Sequence, residues 1–435
     1  MSSSAHQPTA SASTSTSTST FRAHLPSLTT PRFTTAAQQS PLEYAAFFRT
    51  HHAPPWLYNL TQTWETLYRE PFHGLTSDGT VRPGLFEARD ESVDIEGVVA
   101  RAQDMLEALG EEGREKVAFG VGAREWRAWS NPEMLLRPLG VRLEDVPPST
   151  TFSIHRLIAA SLSPEGYAKA VSAMRINDFL GTLVSLPRIL NQHSYNFLLF
   201  GTPSSSPSSP WGWLLYGHHL CLSVFFRGPQ LVISPTFTGA EPNAIDAGEF
   251  AGTQILHREC ELGLRLMQSL TPAQQKTAQV YEKMRDDRMR QTGDLLTDRW
   301  NQDDQRHLCG AFRDNRVVPS EGVCVSSLTS AQRSLVLDIC AEFLLYLPTP
   351  SRHLKLDDIE RHFAETYFCW IGGYGDDDAF YYRIQSPVIV CEFDHHSGVF
   401  LANEEPARFH THTIVRTPNA GDYGQAIRGE GEKLE

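Results

Sequence analysis

The chain has no Cys-x-x-Cys pair, and its seven cysteines (Cys221, Cys260, Cys309, Cys324, Cys340, Cys369 and Cys391) are scattered. An odd, dispersed set argues against a disulfide framework and for reduced thiols in a cytoplasmic compartment. No uncharged apolar run approaches the roughly 20 residues of a membrane span. Met1–Thr20 lacks both an early basic residue and an apolar stretch, so it does not read as a secretory leader. There is no basic stripe. With a formal charge of -13 and a pI near 5.7, that argues against a nucleic-acid or anionic-membrane surface. A Gly-x-Ser-x-Gly elbow and a dinucleotide fingerprint are also missing, which counts against serine-hydrolase and NAD chemistry. No cysteine sits in an evidently electropositive setting, so a thiol nucleophile is disfavoured.

What is present is globular: 40% hydrophobic residues and 10% aromatics over 435 residues. On length alone, two or three domains are expected. Residues 1–40 form a Ser/Thr/Ala-rich, low-complexity tail expected to be disordered. From Leu42 to Arg69, Pro54-Pro55 splits an aromatic-rich stretch into two short helices. Ile95 to Leu109 carries apolar residues at helical spacing and ends at Gly110. Three later helices open on similar phrases, at Ser161-Leu162-Ser163-Pro164, Ser269-Leu270-Thr271-Pro272 and Ser327-Leu328-Thr329-Ser330. Thr271 with Gln274, and Thr329 with Gln332, fit capping boxes. Stereotyped helix-start chemistry explains the likeness better than an internal repeat, because the downstream residues do not match.

Strands concentrate in two blocks. The first runs from Trp213 to Phe226, turns at Arg227-Gly228-Pro229 and returns over Gln230–Ser234. The second covers Phe380–Phe393 and Val399–Val415. A charged, helical segment, Lys276 to Arg306, lies between them. The expected class is therefore α+β, a mainly antiparallel sheet packed with helices and preceded by a helical N-terminal part. An α/β arrangement remains open.

The chemistry concentrates in the last fifth of the chain. In Cys391-Glu392-Phe393-Asp394-His395-His396, strand alternation places Val388, Val390, Glu392 and Asp394 on one face. In Phe409-His410-Thr411-His412-Thr413-Ile414-Val415-Arg416 it places His410, His412 and Ile414 on one face. Two carboxylates and two imidazoles at that density suit a metal site. A two-histidine, one-carboxylate set would serve zinc in a hydrolase or iron(II) in an oxygenase. His218-His219 interrupts an apolar strand, where neighbours point to opposite faces, so at most one would join a given site. His395-His396-Ser397-Gly398 reads as a solvent-facing turn. Arg416 could clamp a substrate carboxylate, although an ion pair with Asp394 or Asp422 is the expected role. Gly372-Gly373-Tyr374-Gly375 followed by Asp376-Asp377-Asp378 lacks the lysine of a phosphate loop and reads as a solvated loop.

Four ordered phrases carry a resemblance: Tyr216-Gly217-His218-His219-Leu220, Pro235-Thr236-Phe237-Thr238-Gly239-Ala240, Tyr382-Arg383-Ile384-Gln385-Ser386-Pro387, and His410-Thr411-His412-Thr413-Ile414-Val415-Arg416 with Asp422-Tyr423-Gly424. Over roughly residues 90–428 the chain resembles the bacterial and fungal family designated domain-of-unknown-function 3500. The resemblance implies one catalytic-size unit, so the domain expectation becomes a single domain over 41–428 and an acidic tail over 429–435. It also implies that His218 or His219 belongs with His412 and Arg416. The functional expectation is a cytoplasmic, metal-dependent, hydrolase-like enzyme acting on a small polar or anionic molecule. A divalent metal, zinc or iron, would be held by His410, His412 and His218 or His219. Asp394 or Glu392 would be a further ligand or the general base, and Arg416 would orient the substrate. Two alternatives stay open: iron(II)-dependent oxidation in accessory or secondary metabolism, and a non-catalytic accessory protein.

Overall fold

Segments rich in β-branched and aromatic residues, punctuated by Gly, Pro and Ser, form the strands. The computed structural model describes residues 21–52, 54–289, 298–301 and 304–435. Among these, twelve strands join one sheet: β1 (Ala118–Phe119), β2 (Val141–Arg142), β3 (Tyr195–Phe200), β4 (Trp211–Gly217), β5 (Leu220–Arg227), β6 (Gln230–Ala240), β7 (Gln279–Tyr281), β8 (Val323–Cys324), β9 (Tyr367–Gly372), β10 (Phe380–Gln385), β11 (Val390–His395) and β12 (Thr411–Arg416). Their order is β1-β3-β4-β5-β6-β12-β11-β10-β9-β7, with β2 beside β3 and β8 beside β9.

That order contains a duplication. β3 to β6 form one antiparallel meander and β9 to β12 another, and they meet through their last strands. Each meander's first strand takes a short parallel partner and a short antiparallel one: β1 and β2 for β3, β7 and β8 for β9. The two halves thus repeat in topology. The similar helix openings are not its trace, for they fall at non-equivalent places. They are helix caps: Thr271 with Gln274 and Thr329 with Gln332 make capping boxes, and Ser163 accepts from the N–H of Gly166. The class is α+β, with parallel pairing confined to the outer strands β1 and β7.

Strand alternation gives each sheet face its own core. Cys391, Phe393 and Val415 pack on one side with the helices Ile95–Val117, Pro164–Leu183, His257–Ser269 and Ser330–Phe343. Val390 and Ile414 face the other side, covered by the Pro41–His51 and Pro55–Arg69 helices, Trp126, Trp129 and Leu308–Phe312. The proline-split pair of N-terminal helices is as expected. The Ile95 helix continues past Gly110, which kinks it at φ 65°, and ends at Val117. Residues 21–40, expected to be part of a disordered tail, are packed. Phe21 meets Leu401 and Phe409, and Phe33 joins the second core, so two aromatic anchors outweigh the polar composition. Residues 1–20 of that tail lie outside the described residues, as do 290–297 and 302–303 of the expected Lys276–Arg306 helix, whose described part is helical only to Ala278 and in one turn at Asp287–Met289. No helix among the described residues is long and apolar enough to cross a membrane.

Arg416 anchors the far end of β12. Its Nε donates to Asp422 (2.7 Å), Nη2 to Asp314 (2.6 Å) and Nη1 to the Cys309 carbonyl (3.0 Å). Asp314 also accepts from Arg127 (2.9 Å) and from the Tyr423 hydroxyl (2.9 Å), and Asp422 accepts from Ser234 and the N–H of Thr417. With every nitrogen engaged and the side chain fully buried, Arg416 works as an ion-pair hub that ties β12 to the segments behind it. The pair with Asp422 is the expected one, and the clamp for a substrate carboxylate is not formed. Arg416→Met leaves two buried carboxylates short of a partner. It is expected to lower unfolding free energy by about 3–5 kcal/mol, read from urea denaturation. An unchanged midpoint would contradict the hub.

Candidate metal centre

The sheet seam builds the site. β12 pairs with β6 from Thr411 opposite Ala240 to Val415 opposite Thr236, which sets His412 across from Gly239 on one side and from Asp394 on the other. A Cβ on Gly239 would lie 2.8 Å from His412 Cδ2 and 2.9 Å from His219 Cδ2. Glycine here makes room for two imidazoles.

His219 reaches that space by a turn that sequence reading missed. The expected single strand from Trp213 to Phe226 breaks at His218-His219, a two-residue turn between β4 and β5. His219 takes the left-handed conformation (φ 60°), which costs a non-glycine residue about 1 kcal/mol or more. Its N–H donates to the Asn131 carbonyl (3.1 Å) and its carbonyl accepts from Gly239 (2.8 Å), so the strained turn is tied at both groups. The turn also overrides strand alternation: the His218 and His219 rings stack at 3.8 Å and 24°. Asn177 donates its amide N–H groups to Asn191 and Ser194, leaving its Oδ1 to accept from His218 Nδ1 at 2.8 Å. His218 therefore backs the cluster and fixes the ring of His219.

His410 sits just ahead of β12, its carbonyl accepting from the N–H of His396 (2.8 Å) and its own N–H donating to Ala407 (3.0 Å). Its Nε2 lies 3.0 Å from His412 Nε2, which lies 3.1 Å from His219 Nε2. All three donor nitrogens fall within 4.8 Å of one another. His410 Nδ1 faces the Glu241 carboxylate at 3.7 Å. Glu241 is itself fixed by the backbone N–H groups of Val399, Phe400 and Leu401. At 3.7 Å the carboxylate acts on the ring through its charge and not through a hydrogen bond.

The electrostatics keep the imidazoles neutral. Burial lowers His410 and His218 to about 3, and holds His219 and His412 well below the ordinary histidine value. Glu241 is pushed up to about 7 by burial, against the pull of its three backbone donors. Neutral imidazole is the ligating form.

The carboxylates expected as ligands are engaged elsewhere. Asp394 shares the face of His412 but takes both ends of the Arg306 guanidinium, at 2.7 and 2.8 Å. Glu392 accepts from the N–H groups of Leu308 and Cys309 (2.8 Å each) and from the Tyr381 hydroxyl, with His307 Nδ1 at 3.7 Å. Burial opposes the charge of Glu392, yet His307, Arg383 and Tyr381 hold it ionised below the usual range. The donor set is thus three imidazoles: His219, His410 and His412 converge, and Glu392, Asp394, His218 and Arg416 are not among the three. His395 and His396, expected in a solvent-facing turn, are both buried: His395 ends β11 and packs against Phe380 and Phe393, and His396 is hydrogen-bonded through its backbone to His410 and Ala407. His396 lies with the cluster, its ring 4.4 Å from that of His412 and 4.9 Å from that of His410. Sequence reading missed His396, His307 and Glu241; an isolated buried glutamate leaves no local signature. The Gly373–Ala379 loop is largely exposed at Gly375–Asp378, as expected.

A family model described as "Protein of unknown function (DUF3500)" matches residues 91–425. The chain belongs to the DUF3500 family. No curated protein and no solved structure matches it. In this family member, neither of two surface clefts, one bordered by Lys355 and the other by Thr76 and Gln385, is lined by the clustered histidines.

Two predictions follow from this geometry. Gly239→Ala pushes on both imidazoles from a position whose backbone does not require glycine, and should disperse the three nitrogens while costing about 1–3 kcal/mol of stability. Loss of cobalt(II) absorption in the folded variant, against retention in the parent, is the readout. The second concerns pH. From pH 6.5 down to about 3 the unfolded chain binds protons that buried His218 and His410 refuse, so stability falls as pH falls through that window. At pH 5 each should have lost about 2 kcal/mol relative to pH 7. Glu241, raised to about 7, works the other way and returns about 2 kcal/mol over the same interval, while His219 and His412 add to the loss. A net fall is therefore expected between the urea midpoints of chelator-treated protein at pH 7 and pH 5; a flat profile would contradict neutral imidazoles.

Proposed function

We propose that this DUF3500 protein is a metal-dependent enzyme with a hydrolase-like reaction on a small polar or anionic molecule. The supporting observation is the position of His412 Nε2, near 3 Å from two other imidazole nitrogens. A neutral imidazole nitrogen either donates one proton or accepts one, so it cannot satisfy both neighbours. A divalent cation facing three lone pairs can. Three histidines leave coordination positions open for water, and a cation so held supplies an acidified, nucleophilic water near neutral pH. The protein's own part is to hold three rings by the turn at His219, the β12 strand and the backbone hydrogen bonds of His410 to Ala407 and His396. Burial then keeps bulk water out and strengthens charge interactions with the substrate. Three uncharged imidazoles would leave the cation's charge uncompensated by its ligands, which favours an anionic substrate.

A second reading, iron(II)-dependent oxidation, is favoured by one detail. Nitrogens about 2.1 Å from a metal lie about 3.4 Å apart on a tetrahedron and about 3.0 Å apart on an octahedral edge. The 3.0 and 3.1 Å separations of His412 Nε2 from its two neighbours are nearer the second, with the remaining pair within 4.8 Å.

Elemental analysis of untagged protein purified without chelators, beside a His410→Ala/His412→Ala variant checked for folding by circular dichroism, tests the proposal. About one equivalent of metal, lost in the variant, is expected. Zinc directs assays to hydrolysis and iron to oxidation. A folded parent that takes up neither metal on reconstitution would overturn the enzyme reading in favour of an accessory protein.

A further inference from the structure

A second site lies on the opposite face of the sheet. Val415 and Thr417 line a cleft there, together with the Thr349–Arg361 helix and the Leu85–Glu91 segment. It encloses about 680 Å³, counting the space at its open mouth. Val415 is three residues beyond His412 on β12, about 10 Å along the strand and pointing the other way. The cleft is therefore separate from the imidazole cluster.

Its charges are unevenly matched. Arg89 is neutralised by Glu91 (3.0 Å) and Asp358 (2.9 Å). Lys355 forms no ion pair among the described residues, and its ammonium lies 5.2 Å from the centre of the Phe86 ring. Four residues earlier on the same helix face, Ser351 is 1% exposed, and its hydroxyl has no hydrogen-bond partner. An unpaired ammonium and an unsatisfied buried hydroxyl thus line one cleft with an apolar stretch, Leu231, Ile233, Leu347 and Ile427, and with Gln230, Thr417 and the exposed Glu87 on its polar side. Burial lowers Lys355 to about 8 even though Asp358 and Glu91 act to raise it from beyond ion-pair distance, and an anion in direct contact would relieve the remaining cost.

We propose that this cleft binds a small amphipathic carboxylate, its anionic head meeting Lys355 Nζ and Ser351 Oγ and its body lying on Phe86, Leu231, Ile233 and Leu347. The inference does not depend on a metal at the histidines. Titration calorimetry of the full chain with octanoate and with octan-1-ol tests it. Octanoate is expected to bind saturably at one site and at least about tenfold more tightly than the alcohol. Lys355→Met should remove that difference while leaving octanol binding within about twofold, Ser351→Ala should reduce it, and Lys355→Arg should preserve it. Absence of saturable octanoate binding, equal affinity for acid and alcohol in the parent, or an unchanged preference in Lys355→Met would each overturn the proposal. Should Lys355→Met not fold, the parent's acid-over-alcohol preference and its retention in Lys355→Arg decide the matter.

Discussion

The seam between β6 and β12 is the interaction on which the rest of the structure depends. Each meander ends in a strand with one free edge, and an unpaired edge in a buried sheet leaves a row of unsatisfied amides and carbonyls. Pairing the two last strands removes both edges at once and makes a single sheet whose two faces can each be covered. The cost is entropic, because the strands are far apart in sequence and their contact closes a long loop. The apolar surface covered on both faces of the seam offsets that cost, with Phe237 and Ile414 paired on one side of the sheet. Gly239 is where the two requirements of the seam meet. The ladder needs a residue there, and the imidazoles need it to have no side chain.

Around the neutral imidazoles the charges are arranged in compensated pairs. Arg306 takes Asp394, His307 stands against Glu392, and Arg416 divides itself between Asp314 and Asp422. Arg306 with Asp394, and Arg416 with Asp314 and Asp422, therefore each have a partner and hydrogen bonds, as burial demands, and Glu392 is held by two backbone N–H groups and Tyr381. None of these pairs needs the histidines, so the cluster is not consumed in holding the sheet together. The buried carboxylate turned towards it is Glu241, which faces the back of His410 rather than the converging nitrogens.

Much of the fold was legible from local chemistry. Pro54-Pro55, Gly110, the two capping boxes and the Arg227-Gly228-Pro229 turn all mark boundaries or kinks that the structure has, because each acts on its own few residues. Legibility failed where a non-local contact overrode local preference. His218-His219 lacks the glycine or asparagine that usually announces a tight turn, and only hydrogen bonds to Asn131 and Gly239 hold His219 left-handed. Strand alternation correctly put Asp394 and His412 on one face. It could not reveal Arg306, which comes from a distant segment and takes the carboxylate away. His396 was misread for the same reason: polar turn chemistry is identical in sequence whether the loop faces water or is buried. The topological repeat was invisible because the two halves share connections rather than residues.

The duplication also explains why the cluster is where it is. His219 comes from the first half and His410 and His412 from the second, 193 and two residues away from His412's own position in the contact pairs they make. Neither half alone holds three converging donors. The set is completed only when β6 and β12 pair in the correct register, since a slip of one residue would turn His412 to the other face. Assembly of the donors and closure of the sheet are thus one event. Any cation gripped by these three nitrogens would bind the closed seam and not the separated halves, and by linkage would stabilise the same long-range pairing that created it. Strain at His219 fits this view: contacts across the seam offset the cost of the turn, and the turn brings in a third convergent imidazole that strand geometry alone could not deliver.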